Sequence, residues 1–329
     1  MLSENVLEWL LEEENPSIRF YTLTSLLGKS PDDPEVIQAR AAIMTQGRVP
    51  KILSFQNEDG SFGIPEKFYG LKYTGTVWTL LLLAELAADP LDPRVQKACE
   101  FILQHSQNPE TGGFSYGQSA KTQTGLAGGV IPCLTGNMTY SLIRLGYLED
   151  SRVQSAINWI TKYQRADDAI DYTPEGEMYS RLYTCWGRHT CHMGAAKSLK
   201  ALSAIPPDKR SPEINAKIEE LAEYFLKHHL YKKSHNLSEI SRPGWLKTGF
   251  PLMYQTDILE LLSIFDDLGI KDLRLSNAAE IIKNKQGSDG KWILESSNNG
   301  KMLVTIEKKG SPSKWITLRA GKVLSFVRA

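Results

Sequence analysis

Apolar residues return along this chain in two alternating helical patterns. One is amphipathic: Val95, Ala98, Cys99, Ile102 and Leu103 fall at the three- and four-residue spacings of one helix face. The other is apolar over most of its circumference, as in YTGTVWTLLLLAEL (73–86), CLTGNMTYSLIRLGY (133–147), HTCHMGAAKSLKALSAI (189–205), FPLMYQTDILELLSIF (250–265) and SKWITLRAGKVLSFV (313–327). A helix apolar nearly all round belongs in the interior, and one polar on a single side belongs at the surface. VLEWLLEE (6–13) and SIRFYTLTSLLG (17–28) add a first pair.

The pairs are copies of one repeat. The phrases PDDPEVIQAR, DPLDPRVQKA, EDSRVQSAIN, RSPEINAKIE and IKDLRLSNAA align on Val36, Val95, Val153, Ile214 and Leu275, at steps of 59, 58, 61 and 61 residues. Each carries Asp, Ser or Pro near its start, the residues that start helices. A second phrase closes most units: SFQNEDGSFG, HSQNPETGGF, KYQRADDAID and NKQGSDGKWI, around Gln56, Gln107, Gln164 and Gln286. The expected fold is all-α: one domain over residues 1–329, an (α/α)6 toroid with six inner helices around a cavity and six outer ones. The inner helices are expected to open at one end, near Tyr73, Cys133, His189, Phe250 and Lys314.

Composition narrows the function. The 329 residues carry 38 basic and 38 acidic side chains, which argues against a nucleic-acid binder. No apolar run is long enough to span a membrane. The acidic, amphipathic start MLSENVLEWLLEEENP lacks the features of a signal peptide, so a cytoplasmic location is expected. Four cysteines are too few for a disulfide framework.

Two of those cysteines and two histidines crowd into CWGRHTCHMG (185–194). If a helix already runs at Cys185, then Cys185, His189 and His192 share one face at i, i+4 and i+7, and Cys191 points elsewhere. Thiolate and imidazole suit zinc. A Cys133 thiolate activated by His189 without metal is the other chemical reading. Asp257, in an apolar inner helix, needs a partner or faces the cavity, so it is a catalytic candidate; Glu260 is the alternative inward acid. His235, on the long loop before that helix, and Tyr73, at an inner-helix start, are further catalytic candidates. Lys314 and Arg319 would place cations near the pore for an anionic substrate. Trp78 and Trp186, with Trp245 and Trp315, suit a hydrophobic substrate. Arg19 and Tyr21 are weaker candidates at the first inner helix. The acids Asp167, Asp168 and Asp171 read as a solvated loop.

The Gln-x-x-(x)-Gly-x-aromatic phrases resemble the QW-type repeats of terpenoid cyclases and protein prenyltransferase beta subunits, the squalene cyclase-like superfamily, across nearly the whole chain. The resemblance implies an enzyme acting on an isoprenoid-type substrate in the central cavity. Class II cyclases need a DxDD acid at an inner helix start. Here that segment reads KYTGTVWT, with Thr74-Gly75 in place of the acid pair, so acid-initiated cyclisation is not expected. HTCHMGAAKSL resembles the zinc-binding segment of the prenyltransferase beta subunits. That likeness makes His189 and Cys133 zinc ligands, completed by Cys185 or His192, and a transferase activity follows from it. Ile131 stands where the family has its Asp ligand. The alternative expectation is a non-catalytic toroid that holds a lipid or a protein partner, although nothing in the chain encodes such a partner.

Overall fold

The computed structural model describes residues 2–169 and 171–328. Among the described residues fourteen α-helices run in chain order: α1 (Glu4–Leu10), α2 (Pro16–Tyr21, continued by a π-helical turn to Leu26), α3 (Pro34–Thr45), α4 (Arg48–Leu53), α5 (Thr76–Glu85), α6 (Pro93–His105), α7 (Pro132–Arg144), α8 (Ser151–Tyr163), α9 (Glu177–Ser180), α10 (His192–Ser203), α11 (Pro212–Lys227), α12 (Ile258–Leu268), α13 (Ser276–Asn284) and α14 (Lys314–Arg328). The only sheet among the described residues is a two-stranded antiparallel hairpin, β1 (Lys232–Lys233) and β2 (Asn236–Ile240). None of these helices is long and apolar enough to cross a membrane.

The repeated phrases have concrete jobs. Asp33, Asp92, Asp150 and Ser211 cap α3, α6, α8 and α11 by accepting a backbone N–H of the first turn, and Asp272 caps the turn that leads into α13. Two of the glutamines clamp one repeat to the next. Gln56 Nε2 donates to Gly60 O and to Arg94 O, and Gln107 Nε2 donates to Gly112 O and to Arg152 O. The aromatic residue that ends the phrase is buried, and its N–H donates to a threonine of the following helix: Phe62 to Thr76, Phe114 to Thr135, Trp292 to Thr317.

Gly112 shows why the phrase carries glycine. Its φ is +82°, and a Cβ there would lie 2.5 Å from Ser155 O on α8. Gly60 meets Lys97 O of α6 in the same way. Gly112→Ala is expected to cost about 2–4 kcal/mol, from overpacking plus left-handed strain. Urea unfolding checks this, and unchanged stability would mean that the two backbones do not approach this closely.

The expected division between helix types holds. All ten residues of α5 are buried, whereas α6 buries one face, including Val95, Ala98, Cys99 and Ile102. The core follows: one buried cluster extends from Val6 to Val323. Packing runs in chain order. α5 lies on α7, α7 on α10, α10 on α12, α12 on α14, and α14 on α2. Ser17 Oγ on α2 donates to Leu86 O just after α5 (2.7 Å). Long connections precede the N-termini of α5, α7, α10, α12 and α14, and short turns follow the C-termini of α5, α7, α10 and α12.

Candidate functional site

Two groups of chemistry-bearing side chains stand out, at opposite ends of the apolar helices. Toward the C-terminal ends of α5, α7 and α10 lies a cavity of about 350 Å³. Tyr21 of α2, Glu85 of α5, Tyr140 and Arg144 of α7, Lys200 of α10, Glu260 of α12 and Arg319 of α14 all line it. Trp315, Leu318 and Ile264 supply apolar wall.

Its floor is an ionic network. Lys197, fully buried, donates to both oxygens of Glu260 (2.8 and 2.7 Å). Lys200 bridges Glu260 and Glu85, and Arg319 holds the other Glu85 oxygen. Burial alone would raise both carboxyls, but the surrounding cations more than reverse this and hold each at about 2. Both are therefore ionised and paired, and neither is a proton donor. An ordinary glutamate lies at 4.5. Between 4.5 and 2 the folded protein binds fewer protons than the unfolded chain. Stability is therefore expected to fall as pH drops through that window. Thermal melts between pH 6 and 3 test this, and Glu260→Gln should show a shallower decline than the wild type.

Arg144 differs from the other cavity cations. Its guanidinium donates to the Tyr21 hydroxyl (3.0 Å) and meets no carboxylate within salt-bridge distance among the described residues. Lys200, Arg319 and Lys322 are all paired with acids.

At the N-terminal ends sit three thiols. Cys133 opens α7, Cys191 caps α10 by accepting the Gly194 N–H (3.5 Å), and Cys185 lies in the π-helical turn Tyr183–Gly187. The nearby Cys185 thiol, with help from the N–H groups of Gly194 and Met193 and against the opposing effect of burial, brings Cys191 down to about 6. Burial pushes Cys133 up to about 12. Nearby, the Lys72 ammonium lies over three rings, Tyr254 (4.6 Å), Tyr69 (5.0 Å) and Trp78 (5.6 Å).

The predicted metal donors do not converge. α10 begins only at His192, after an extended Cys191, so Cys185, His189 and His192 share no continuous helix face. Cys191, expected to point away, is the neighbour of Cys185. The His192 ring stacks on Trp245 (3.8 Å), with Nε2 buried and unbonded, while His189 Nδ1 pairs with Thr190 O (3.0 Å). Among the described residues no group of three or more His, Cys, Asp or Glu side chains is arranged to hold a metal ion. The donors present do not fit the zinc site that the resemblance implies.

The remaining candidates scatter. Asp257 is not inside a helix: it caps α12, taking the N–H groups of Glu260 (2.8 Å) and Gly249 (2.9 Å). Burial pushes it up to about 6. Glu260, the alternative acid, does line the cavity. His235 is exposed in the turn between β1 and β2. Tyr73 donates its N–H to Lys301 O and packs edge-on to Trp78; burial and Tyr254 push its hydroxyl up to about 12. Trp78 is buried and donates to Tyr69 O (2.9 Å), and Trp186 stacks on Trp159 (5.3 Å). Lys314 turns to Glu12 and Trp9 rather than to the cavity. Of the residues expected to bind substrate, Arg319 and Trp315 line the cavity, with Tyr21 from the weaker candidates, whereas Trp78, Trp186, Trp245 and Lys314 do not. Asp167, Asp168 and Asp171 pair separately with Arg165, His228 and Arg188.

Sequence reasoning missed Glu85, Arg144, Lys197 and Lys200. The signal was available: they are the charged residues of otherwise apolar helices, in AEL, LIRL and AAKSLKAL, with Glu85, Arg144 and Lys200 near the helix ends away from the expected opening.

No family model matches the chain, and no curated protein matches it. Solved structures similar to it include a protein from Actinoplanes (TM-score 0.44, 12% identity, 95% of this chain and 90% of that one). They also include the type II terpene cyclase MstE from Scytonema, solved with geranylgeranyl dihydroxybenzoate (TM-score 0.40, 16% identity, 99% of each chain). Likeness at this distance assigns no activity.

Proposed function

We propose that the chain is a terpenoid cyclase-like α/α toroid, one domain over residues 1–329, whose cavity binds an amphipathic anion. The ligand class is an isoprenoid or similar apolar chain with a carboxylate or phosphate head. Two features support closure of the toroid. Each apolar helix packs on the next, with α14 returning to α2. In the last repeat, Gly290 lies against Val6 of α1, as Gly60 lies against α6.

The observation that carries the ligand reading is Arg144, a cavity-facing guanidinium that lacks a carboxylate partner. Its fork suits a bidentate carboxylate or phosphate. The hydroxyls of Tyr21 and Tyr140 stand beside it, and Trp315, Leu318 and Ile264 offer apolar surface. The volume suits a small ligand, since such pockets span roughly 300–1,000 Å³. Arg144 and Lys200 also stand in or near the last turns of their helices, where the helix dipole favours cations. A purely dipolar role would leave ligand binding indifferent to Arg144.

Binding, rather than acid-initiated cyclisation, is the function proposed, because both cavity carboxyls named above are ion-paired and Thr74-Gly75 stands where an acid pair would be. The test is a ligand panel read by thermal stability and equilibrium titration: farnesoic acid, farnesyl phosphate and farnesol. The two anions are expected to stabilise the protein and farnesol to do so far less. Equal effects of all three would remove the anion site. A preference between the two acids identifies the head group.

A further inference from the structure

At the end of the apolar helices opposite the cavity, aromatic rings close around a cation. Tyr69 lies in the connection that leads into α5, Trp78 in the first turn of α5, and Tyr254 in the connection that leads into α12. Their rings face different ways. Trp78 meets Tyr69 at 5.0 Å with the planes 42° apart, and Tyr254 at 6.2 Å with the planes 65° apart. Tyr73 packs edge-on to Trp78 (5.3 Å), and Tyr116 backs Tyr69 (6.1 Å). Trp78 is buried and its Nε1 donates to Tyr69 O (2.9 Å), which fixes two walls to each other.

The Lys72 ammonium occupies the space between the three rings, 4.6 Å from the Tyr254 centroid, 5.0 Å from Tyr69 and 5.6 Å from Trp78. No carboxylate lies within salt-bridge distance of it among the described residues. Lys72 is exposed, whereas Tyr69 and Tyr254 are half-buried. A primary ammonium is strongly hydrated, so it gives up water to sit among rings and can leave again on its flexible stem. A quaternary ammonium has no N–H to hydrate. Ring faces attract its charge, and its methyl groups pack on the ring carbons. Methyl carbons pack at roughly 3.5–4.0 Å from ring carbons, so a nitrogen that carries them fits about where the Lys72 Nζ now lies.

We propose that Tyr69, Trp78 and Tyr254 form a cage for a quaternary ammonium of the choline type, and that Lys72 is its built-in occupant, displaced when the ligand enters. The cage takes a cation and the Arg144 cavity an anion, and the two sites use opposite ends of the helices. Either reading stands without the other.

The experiment titrates choline into the full-length protein and into Lys72→Ala, read by isothermal calorimetry. Removing the competing ammonium is expected to tighten choline binding at least about fivefold. Neohexyl alcohol, the uncharged isostere of choline with carbon in place of nitrogen, should bind Lys72→Ala at least about tenfold more weakly than choline does. Adding Tyr254→Leu to Lys72→Ala should weaken choline binding about fivefold or more. That variant separates ring contact from the gain any cation makes when a lysine charge is lost. Circular dichroism checks that it folds, and the other comparisons do not depend on it. Vesicles of dioleoylphosphatidylcholine present the same head group. Their co-sedimentation with Lys72→Ala would assign the cage to a lipid head, and binding of free choline alone would assign it to a soluble ion. No choline binding to Lys72→Ala, equal affinity for the alcohol, or an affinity indifferent to Lys72 would each overturn the proposal.

Discussion

Lys197→Met should destabilise the protein by about 3 kcal/mol, because it removes one partner of a buried ion pair and leaves Glu260 with Lys200 alone. Lys197 is wholly buried and its ammonium reaches both Glu260 oxygens. Desolvation of a lone charge there is not offset by hydration. If that mismatch is the source of the loss, removing both charges should recover most of it. The double variant Lys197→Met with Glu260→Gln is therefore expected to be more stable than the single one, since Lys200 retains Glu85. Urea unfolding of the four species closes the cycle. A single variant as stable as the wild type, or a double variant that sums the two losses, would show that the network is not coupled in this way.

Arg144→Ala is expected to weaken binding of an isoprenoid carboxylate by roughly tenfold to a hundredfold, the range for one charge-assisted hydrogen-bonded contact. The effect on stability should be small by comparison, because among the described residues the guanidinium hydrogen-bonds only to the Tyr21 hydroxyl. Arg319→Ala should behave differently. That side chain is tied to Glu85 and lies over Phe250 (4.9 Å), so its loss costs folding as well as binding. Comparison of Kd and unfolding free energy for the two variants separates a ligand-facing cation from a structural one. Ligand affinity unchanged in Arg144→Ala would assign Arg144 to the helix dipole alone.

The helices and their caps were legible because they are local. Asp92 and Asp150 bond N–H groups two residues ahead, and Val95 and Val153 begin apolar stripes whose spacing is visible in the chain. The glutamine phrases marked the repeat, although the bridge that Gln56 and Gln107 make to the next outer helix appears only in three dimensions. The thiol cluster was half legible. HTC leads into a helix that begins at His192, and the extended Cys191 breaks the spacing that would align Cys185 with His189 and His192. Asp257 was misread because its helix starts one residue later, which turns an apparent interior carboxylate into a cap. The cavity was missed because its charges come from helices far apart in sequence: Glu85 meets Lys200 across 115 residues and Arg319 across 234. Pairing over such separations leaves no periodic trace, and each charge alone reads as an exception on an apolar helix.

The most direct measurement is a crystal structure of the protein with farnesoic acid. The carboxylate is expected within hydrogen-bond distance of Arg144 and the apolar chain of the ligand against Trp315, Leu318 and Ile264. Ligand bound instead at the Cys133–Cys185–Cys191 end, or an empty cavity at saturating ligand, would contradict it.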